Sequence, residues 1–132
     1  MLKIPKSMYE EIVAHAKSLK PIESCGYLAG KDDDMQLFIK MTNIDNEPDH
    51  FSFEPKEMFA AVKAARAEGL ELAAVYHSHP ESPARFSQED KRLLVDPNMT
   101  YLIMSLMDDK DDLKAFRLGD DGEYEVPIEY TD

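Results

Sequence analysis

Apolar positions along this chain recur at two periods, and each change of period marks a change of element. Met8, Tyr9, Ile12, Val13, Ala16 and Leu19 fall at helical spacing, so the first segment reads as a helix with one buried face. Ser7-Met8-Tyr9-Glu10 reads as its capping box, and the helix runs to about Lys20 and stops before Pro21. Ile22 to Gly30 is an apolar run with two glycines, the pattern of a strand that another backbone approaches closely. Lys31 to Asp34 is a turn, and Met35 to Asn43 alternates loosely as a second strand. Asn43 to Phe53 is irregular, with Pro48 and a short Phe51-Ser52-Phe53 strand. Pro55 suits a first helical turn. The helix from Lys56 to Glu68 groups Met58, Phe59, Val62, Ala65 and Arg66 around one face, and Gly69 stops it.

Leu70 to Tyr76 reads as a buried strand, rich in small and β-branched residues. A short helix follows, Gln88 to about Val95, closed by Asp96-Pro97. Thr100 to Leu106 is a further buried strand and Met107 to Asp112 a charged turn. Leu113 to Leu118 and Tyr124 to Tyr130 form a final antiparallel pair around Gly119-Asp120-Asp121-Gly122. The order α, β, β, β, α, β, α, β, β, β predicts an α/β fold, a mixed sheet with helices on its faces.

Composition narrows the function classes. At 132 residues the chain is expected to be one domain, 1–132, able to bury about two-thirds of its unfolded surface. A net charge of −12 argues against nucleic acid, whose phosphates it would repel. One cysteine allows no internal disulfide, which fits a reducing cytoplasm. The first residues lack an apolar signal core, and no run approaches the ~20 apolar residues of a membrane span.

The chemistry gathers at His77-Ser78-His79-Pro80, which holds two of the four histidines. In a strand, residues i and i+2 share a face, so both imidazoles can reach one metal ion. On a helix they would diverge by about 160°. Pro80 keeps His79 extended. Ser87-Gln88-Glu89-Asp90 is an N-cap pattern that puts Asp90 in the first turn, its side chain pointing back toward the loop. Two imidazoles and one carboxylate, with a fourth position open for water, make the set of a catalytic zinc. The blander alternative is a stray His-x-His beside an ordinary helix cap. Ser87 could also donate its hydroxyl proton to an oxyanion, while Ser78 points to the opposite face. His15 belongs to packing or the surface, and Cys25 is a small buried apolar residue. Asp32-Asp33-Asp34 lacks the spacing of a calcium loop. His50 is expected to be exposed.

His77, His79, Ser87 and Asp90, in the spacing His-x-His, seven residues, Ser, two residues, Asp, resemble the JAMM motif of the MPN-domain (Mov34/MPN/PAD-1) metalloproteases. The resemblance extends over nearly the whole chain. It selects Glu23, in Glu23-Ser24-Cys25-Gly26, which local pattern alone does not distinguish from other loop carboxylates. It implies the MPN sandwich, related to the cytidine-deaminase architecture, with one zinc and Glu23 as general base rather than ligand. It also implies cleavage of peptide or isopeptide bonds, after the C-terminal Gly-Gly of a ubiquitin-like or sulfur-carrier protein. The chain looks like the compact prokaryotic members, without room for large insertions. Two alternatives stand beside this reading: a metal-free MPN scaffold for protein partners, and a zinc hydrolase of small amide conjugates.

Overall fold

The strand bearing the two histidines lies inside the sheet, flanked by hydrogen-bonded strands on both sides. This is seen in a computed structural model that describes residues 1–48, 50–91 and 96–132, without the side chains of Gln88 and Glu89. The elements are β1 (Leu2–Pro5), α1 (Lys6–Leu19), β2 (Cys25–Lys31), β3 (Asp34–Met41), α2 (Pro55–Ala67), β4 (Glu71–His79), α3 (Gln88–Lys91), β5 (Thr100–Ser105), β6 (Asp112–Gly119), β7 (Gly122–Val126) and β8 (Ile128–Thr131). A short 3₁₀ turn, Met107–Asp109, follows β5. The sheet order is β7-β6-β5-β4-β2-β3-β1-β8. The pairs β1–β3, β1–β8 and β4–β5 are parallel and the others antiparallel, so the sheet is mixed, as the pattern predicts.

Alternation divides the side chains of the central strands between two layers. Leu28, Ala74, Tyr76, Leu102 and Met104 face α1, where Met8, Ile12 and Ala16 complete the largest core cluster. Cys25, Tyr27, Ala29 and Val75 face the other way, toward α2 and the segment before it, and an irregularity in the ladder after Leu72 turns that side chain to the same side. Gly26 lets the β2 and β3 backbones close up: a Cβ there would stand 2.6 Å from the Ile39 carbonyl oxygen.

Several expectations need correction. The first residues form a strand, β1, which the sequence reading did not anticipate. Four residues are too few to show a period, and the strand is stabilised by partners distant in the chain, β3 and β8. α1 begins at Lys6 with Pro5 at its cap and no side-chain capping bond, so Ser7-Glu10 is not a capping box. The strand expected from Tyr124 to Tyr130 is two, broken at Pro127, which has no N–H for a ladder. β7 and β8 lie at opposite edges of the sheet order, joined only through that proline, so the sheet must curl for its edges to approach. Phe51-Ser52-Phe53 is irregular, its rings packed under α2 rather than paired in a sheet. The buried face of α2 is made by Ala61 and Ala65, while Met58 is 39% and Phe59 72% exposed. The alanines set the helix close to the sheet and the larger side chains turn outward. The predicted remainder of α3 to Val95 lies outside the described residues. Among the described residues no helix is long and apolar enough to cross a membrane.

One connection matters for the site. Between β3 and α2 the chain makes an irregular excursion held by Asn43, which is 7% exposed. Its Nδ2 donates to the carbonyls of Glu23 and His50, each at 3.0 Å. Its Oδ1 accepts from the N–H groups of Asp45 at 3.0 Å and Ser52 at 3.3 Å. All four positions of the amide are used. The Glu23 N–H in turn donates to the Glu47 carbonyl at 3.0 Å, so both backbone groups of Glu23 are tied to this excursion. Asn43→Ala is expected to destabilise the fold by on the order of 1–3 kcal/mol, the cost of one buried polar group left unsatisfied. Urea unfolding measures this, and faster amide exchange at Ser52 should accompany it.

Candidate metal centre

β4 sets both histidines by ladder geometry. His77 pairs with Cys25 of β2 and Ile103 of β5, and His79 pairs with Ser105 of β5. The two rings leave the same face and converge, with Nε2 to Nε2 at 3.2 Å. Asp90 reaches them from α3, its Oδ2 2.7 Å from His79 Nε2 and its Oδ1 3.2 Å from His77 Nε2. The three residues are 2%, 2% and 1% exposed. One ligand atom from each lies within 4.8 Å of the others.

Asp90 is aimed by the cap expected at Ser87. The Asp90 N–H donates to Ser87 Oγ at 3.1 Å, and the Ser87 N–H donates back to Asp90 Oδ2 at 3.1 Å. Ser87 Oγ thus accepts one hydrogen bond and keeps its own O–H to give. Capping and donation toward a reacting group are compatible in this geometry, which the sequence left open.

The electrostatics show what the arrangement is for. His79 Nδ1 sits 2.8 Å from the Pro83 carbonyl oxygen, and only an N–H can face that acceptor. In the neutral ring this leaves Nε2 as a bare lone pair, the state in which imidazole binds metal. That lone pair confronts the Asp90 carboxylate at 2.7 Å and His77 Nε2 at 3.2 Å. Converging lone pairs repel unless a positive centre lies between them. Burial pulls His77 below its ordinary pKa, against the pull of Asp90, so an imidazolium is disfavoured there. Burial alone would raise the Asp90 carboxyl. Contacts with the two imidazoles, the charge of His77 and the Ser87 N–H outweigh it and hold the carboxyl well below the usual range. Tetrahedral zinc with bonds of about 2.0–2.1 Å separates its donors by roughly 3.3 Å. The two imidazole nitrogens match this at 3.2 Å, and the Asp90 carboxylate offers an oxygen to each of them, at 3.2 Å from His77 and 2.7 Å from His79. The donor set therefore fits a metal ion.

Glu23 lies just before β2. The Ser78 N–H donates to the Ser24 carbonyl at 2.9 Å, and the Ser24 N–H donates to Ser78 Oγ at 2.8 Å. These bonds extend the Cys25–His77 pairing by one residue, to Ser24 and Ser78, and Glu23 is the next residue before them. It is buried. Ser78 points to the other face, as alternation predicts, and is a structural partner of Ser24. Ser24 Oγ also bonds the Tyr76 hydroxyl, which is 3.1 Å from His15 Nδ1. His15 is thus a packing residue of α1. Burial pushes the Cys25 thiol up to about 12, which leaves no thiolate for nucleophilic work. His50 is half-buried rather than exposed, with Nδ1 3.0 Å from Asp45 Oδ2.

Three contributors carried no signal in the sequence. Phe51 stacks on the His77 ring, with centroids 5.0 Å apart and planes at 25°. Pro83 presents its carbonyl to His79, and Asn43 fixes the backbone of Glu23. Each acts through backbone or ring contacts that spacing does not encode.

Comparison with known proteins agrees with the geometry. Residues 5–119 match the profile of the prokaryotic homologues of the JAB domain. The CysO-cysteine peptidase of Mycobacterium tuberculosis is 29% identical over 131 residues, 97% of this chain and 90% of that protein. A desampylase of Pyrococcus furiosus is 29% identical over 85% of this chain and 78% of its own length. The solution structure of DSY2949 from Desulfitobacterium hafniense superposes with a TM-score of 0.89 at 40% identity, covering 99% of this chain and 93% of that one. Solved JAB1/MPN-domain structures below 25% identity share the fold. The chain belongs to the JAMM/MPN metalloprotease family, among the prokaryotic homologues of the JAB domain.

Proposed function

We propose that this chain is a zinc-dependent hydrolase that cuts the amide bond after the C-terminal Gly-Gly of a ubiquitin-like or sulfur-carrier protein. His77, His79 and Asp90 would hold one zinc ion per chain. The observation that carries the reading is the convergence of these three buried donors on one point; a buried Glu23, next to the Ser24–Ser78 contact with β4, supports its choice as the base. Likeness to a CysO-cysteine peptidase and a desampylase supports the substrate class. The lone buried cysteine and the absence of disulfides suit a cytoplasmic place of work.

An amide is a poor electrophile and water a weak nucleophile. Bound at this triad, zinc supplies Lewis acidity, lowering the pKa of water to about 7 and polarising the carbonyl. Glu23 takes the proton released by the attacking water and returns it to the departing amine nitrogen. Asn43 and Glu47 hold its backbone in place through both polar groups, so the carboxylate needs little reorganisation to act. The Ser87 O–H, left free by a cap in which Oγ only accepts, donates to the carbonyl oxygen as negative charge gathers there. Phe51 closes one side of the His77 ring against water.

Cleavage of Gly-Gly-ended carrier adducts by the zinc-loaded chain, followed by mass spectrometry of the carrier, tests the reading. The expected product is the carrier ending in a free glycine carboxylate. Glu23→Gln should lower kcat/KM by roughly 10²–10⁴-fold. A Glu23→Gln protein that turns over at the wild-type rate would show that another group moves the proton. Ser87→Ala should lower kcat by about 10²–10³-fold, and Ser87→Thr, which keeps both hydroxyl functions, should restore most of it.

A further inference from the structure

The loop between β4 and α3 lies over one face of β5. Strand alternation puts Tyr101, Ile103 and Ser105 on that face, while Leu102 and Met104 turn to the α1 side. Ala84 packs with Ile103 and Phe116, and Phe86 lies against them, its ring 6.2 Å from that of Tyr101 between centroids. On its outer side the loop lines a cleft of about 310 Å³ beside His79, which Arg85 and Lys91 also border. Glu81, Ser82 and Arg85 are exposed. The loop is therefore held from beneath, by β5, and open to solvent above.

Apolar contacts press the loop onto the strand but set no direction. A polar contact does. Ser105, the buried last residue of β5, donates its Oγ–H to the Ser82 carbonyl at 2.6 Å, and the same Oγ accepts the Met107 N–H at 3.2 Å. Proline brings no N–H, so the Ser82 carbonyl is the only hydrogen-bonding group of the Ser82–Pro83 peptide. Ser105 takes it. The next carbonyl, that of Pro83, faces His79 Nδ1 at 2.8 Å and accepts the Arg85 N–H at 2.9 Å. Ser105 is also the partner of His79 across the β4–β5 ladder, and Leu106 donates its N–H to the His79 carbonyl at 3.0 Å. The end of β5 thus grips both the backbone of His79 and the loop that faces its ring.

We propose that Ser105 is a positioning residue of the metal centre. By holding the Ser82–Pro83 peptide it keeps the Pro83 carbonyl at His79 Nδ1, and so keeps His79 Nε2 aimed at the ion as a lone pair. It acts through His79 and not on substrate. Without the hydroxyl, the Ser82 carbonyl and the Met107 N–H both lose a partner. The Ser82–Pro83 peptide can then move toward solvent, and Nδ1 loses the acceptor that fixes the ring and its tautomer. Ligating imidazoles depend on such an outer partner for their hold on the metal.

This inference rests on the metal site of the reading above, and the test separates the two. Zinc affinity is measured by chelator competition in the wild type, Ser105→Ala, Ser105→Thr and Ile103→Val. Solvent exchange of the His79 Nδ1–H proton is followed by NMR in the zinc-loaded proteins. Ser105→Ala should bind zinc roughly tenfold or more weakly and exchange that proton faster. Ser105→Thr, which keeps the hydroxyl, should recover most of both. Ile103→Val loosens the same packing and leaves the hydroxyl in place. It should lower thermal stability, with zinc affinity and the Nδ1–H proton as in the wild type. Should Ser105→Ala fail to fold, Ser105→Cys, close in size but a weak donor, takes its place in the comparison. Wild-type zinc affinity and proton exchange in Ser105→Ala, or an equal loss in Ile103→Val, overturns the role of Ser105 and leaves the metal site intact. A wild type that binds no zinc overturns the site and this inference together.

Discussion

The site depends on one backbone ladder, the antiparallel pairing of β2 with β4. It fixes Cys25 opposite His77, and the reciprocal bonds of Ser24 and Ser78 extend the contact to the residue beside Glu23. A slip of one residue would send both imidazoles to the α1 side, because side chains alternate along a strand. The β5 ladder on the other side of β4 and the apolar packing of Tyr76, Leu28 and Met104 against α1 oppose such a slip. The large core on one face therefore holds a small polar constellation in place on the other.

That constellation is costly for a protein to keep without a cation. A buried carboxylate and two imidazole nitrogens converge, and the Pro83 carbonyl commits His79 to presenting a lone pair. Such a group is compensated when a divalent ion neutralises the carboxylate and accepts the nitrogens. Ser87 serves the same end twice, by aiming Asp90 through the helix cap and by keeping a hydrogen for another acceptor. The surroundings are asymmetric, with aromatic rings flanking His77 and a cationic cleft flanking His79.

Much of this was readable from the residues, for local reasons. A strand makes i and i+2 neighbours, so His77 and His79 were a pair before any fold was known. Ser87-x-x-Asp90 is a local cap and formed as one. The Gly119–Gly122 hairpin likewise joins neighbouring segments. What escaped was non-local. β1 exists because β3 and β8 pair with it, and β8 leaves β7 because Pro127 interrupts the ladder. Phe59 follows the apolar period of α2 but faces outward, because Ala61 and Ala65 seat the helix closely on the sheet. Glu23 had no local mark. The family resemblance singled it out, and the Ser24–Ser78 bonds put it next to the end of the β2–β4 ladder.

The central claim is that these three side chains form one metal site that does not include Glu23. Zinc analysis of purified, dialysed protein addresses it directly. About one zinc per chain is expected in the wild type and in Glu23→Gln, with most of it lost in His77→Ala and Asp90→Ala. Equal zinc in all four proteins, or none in a wild type supplied with the metal, would contradict the account.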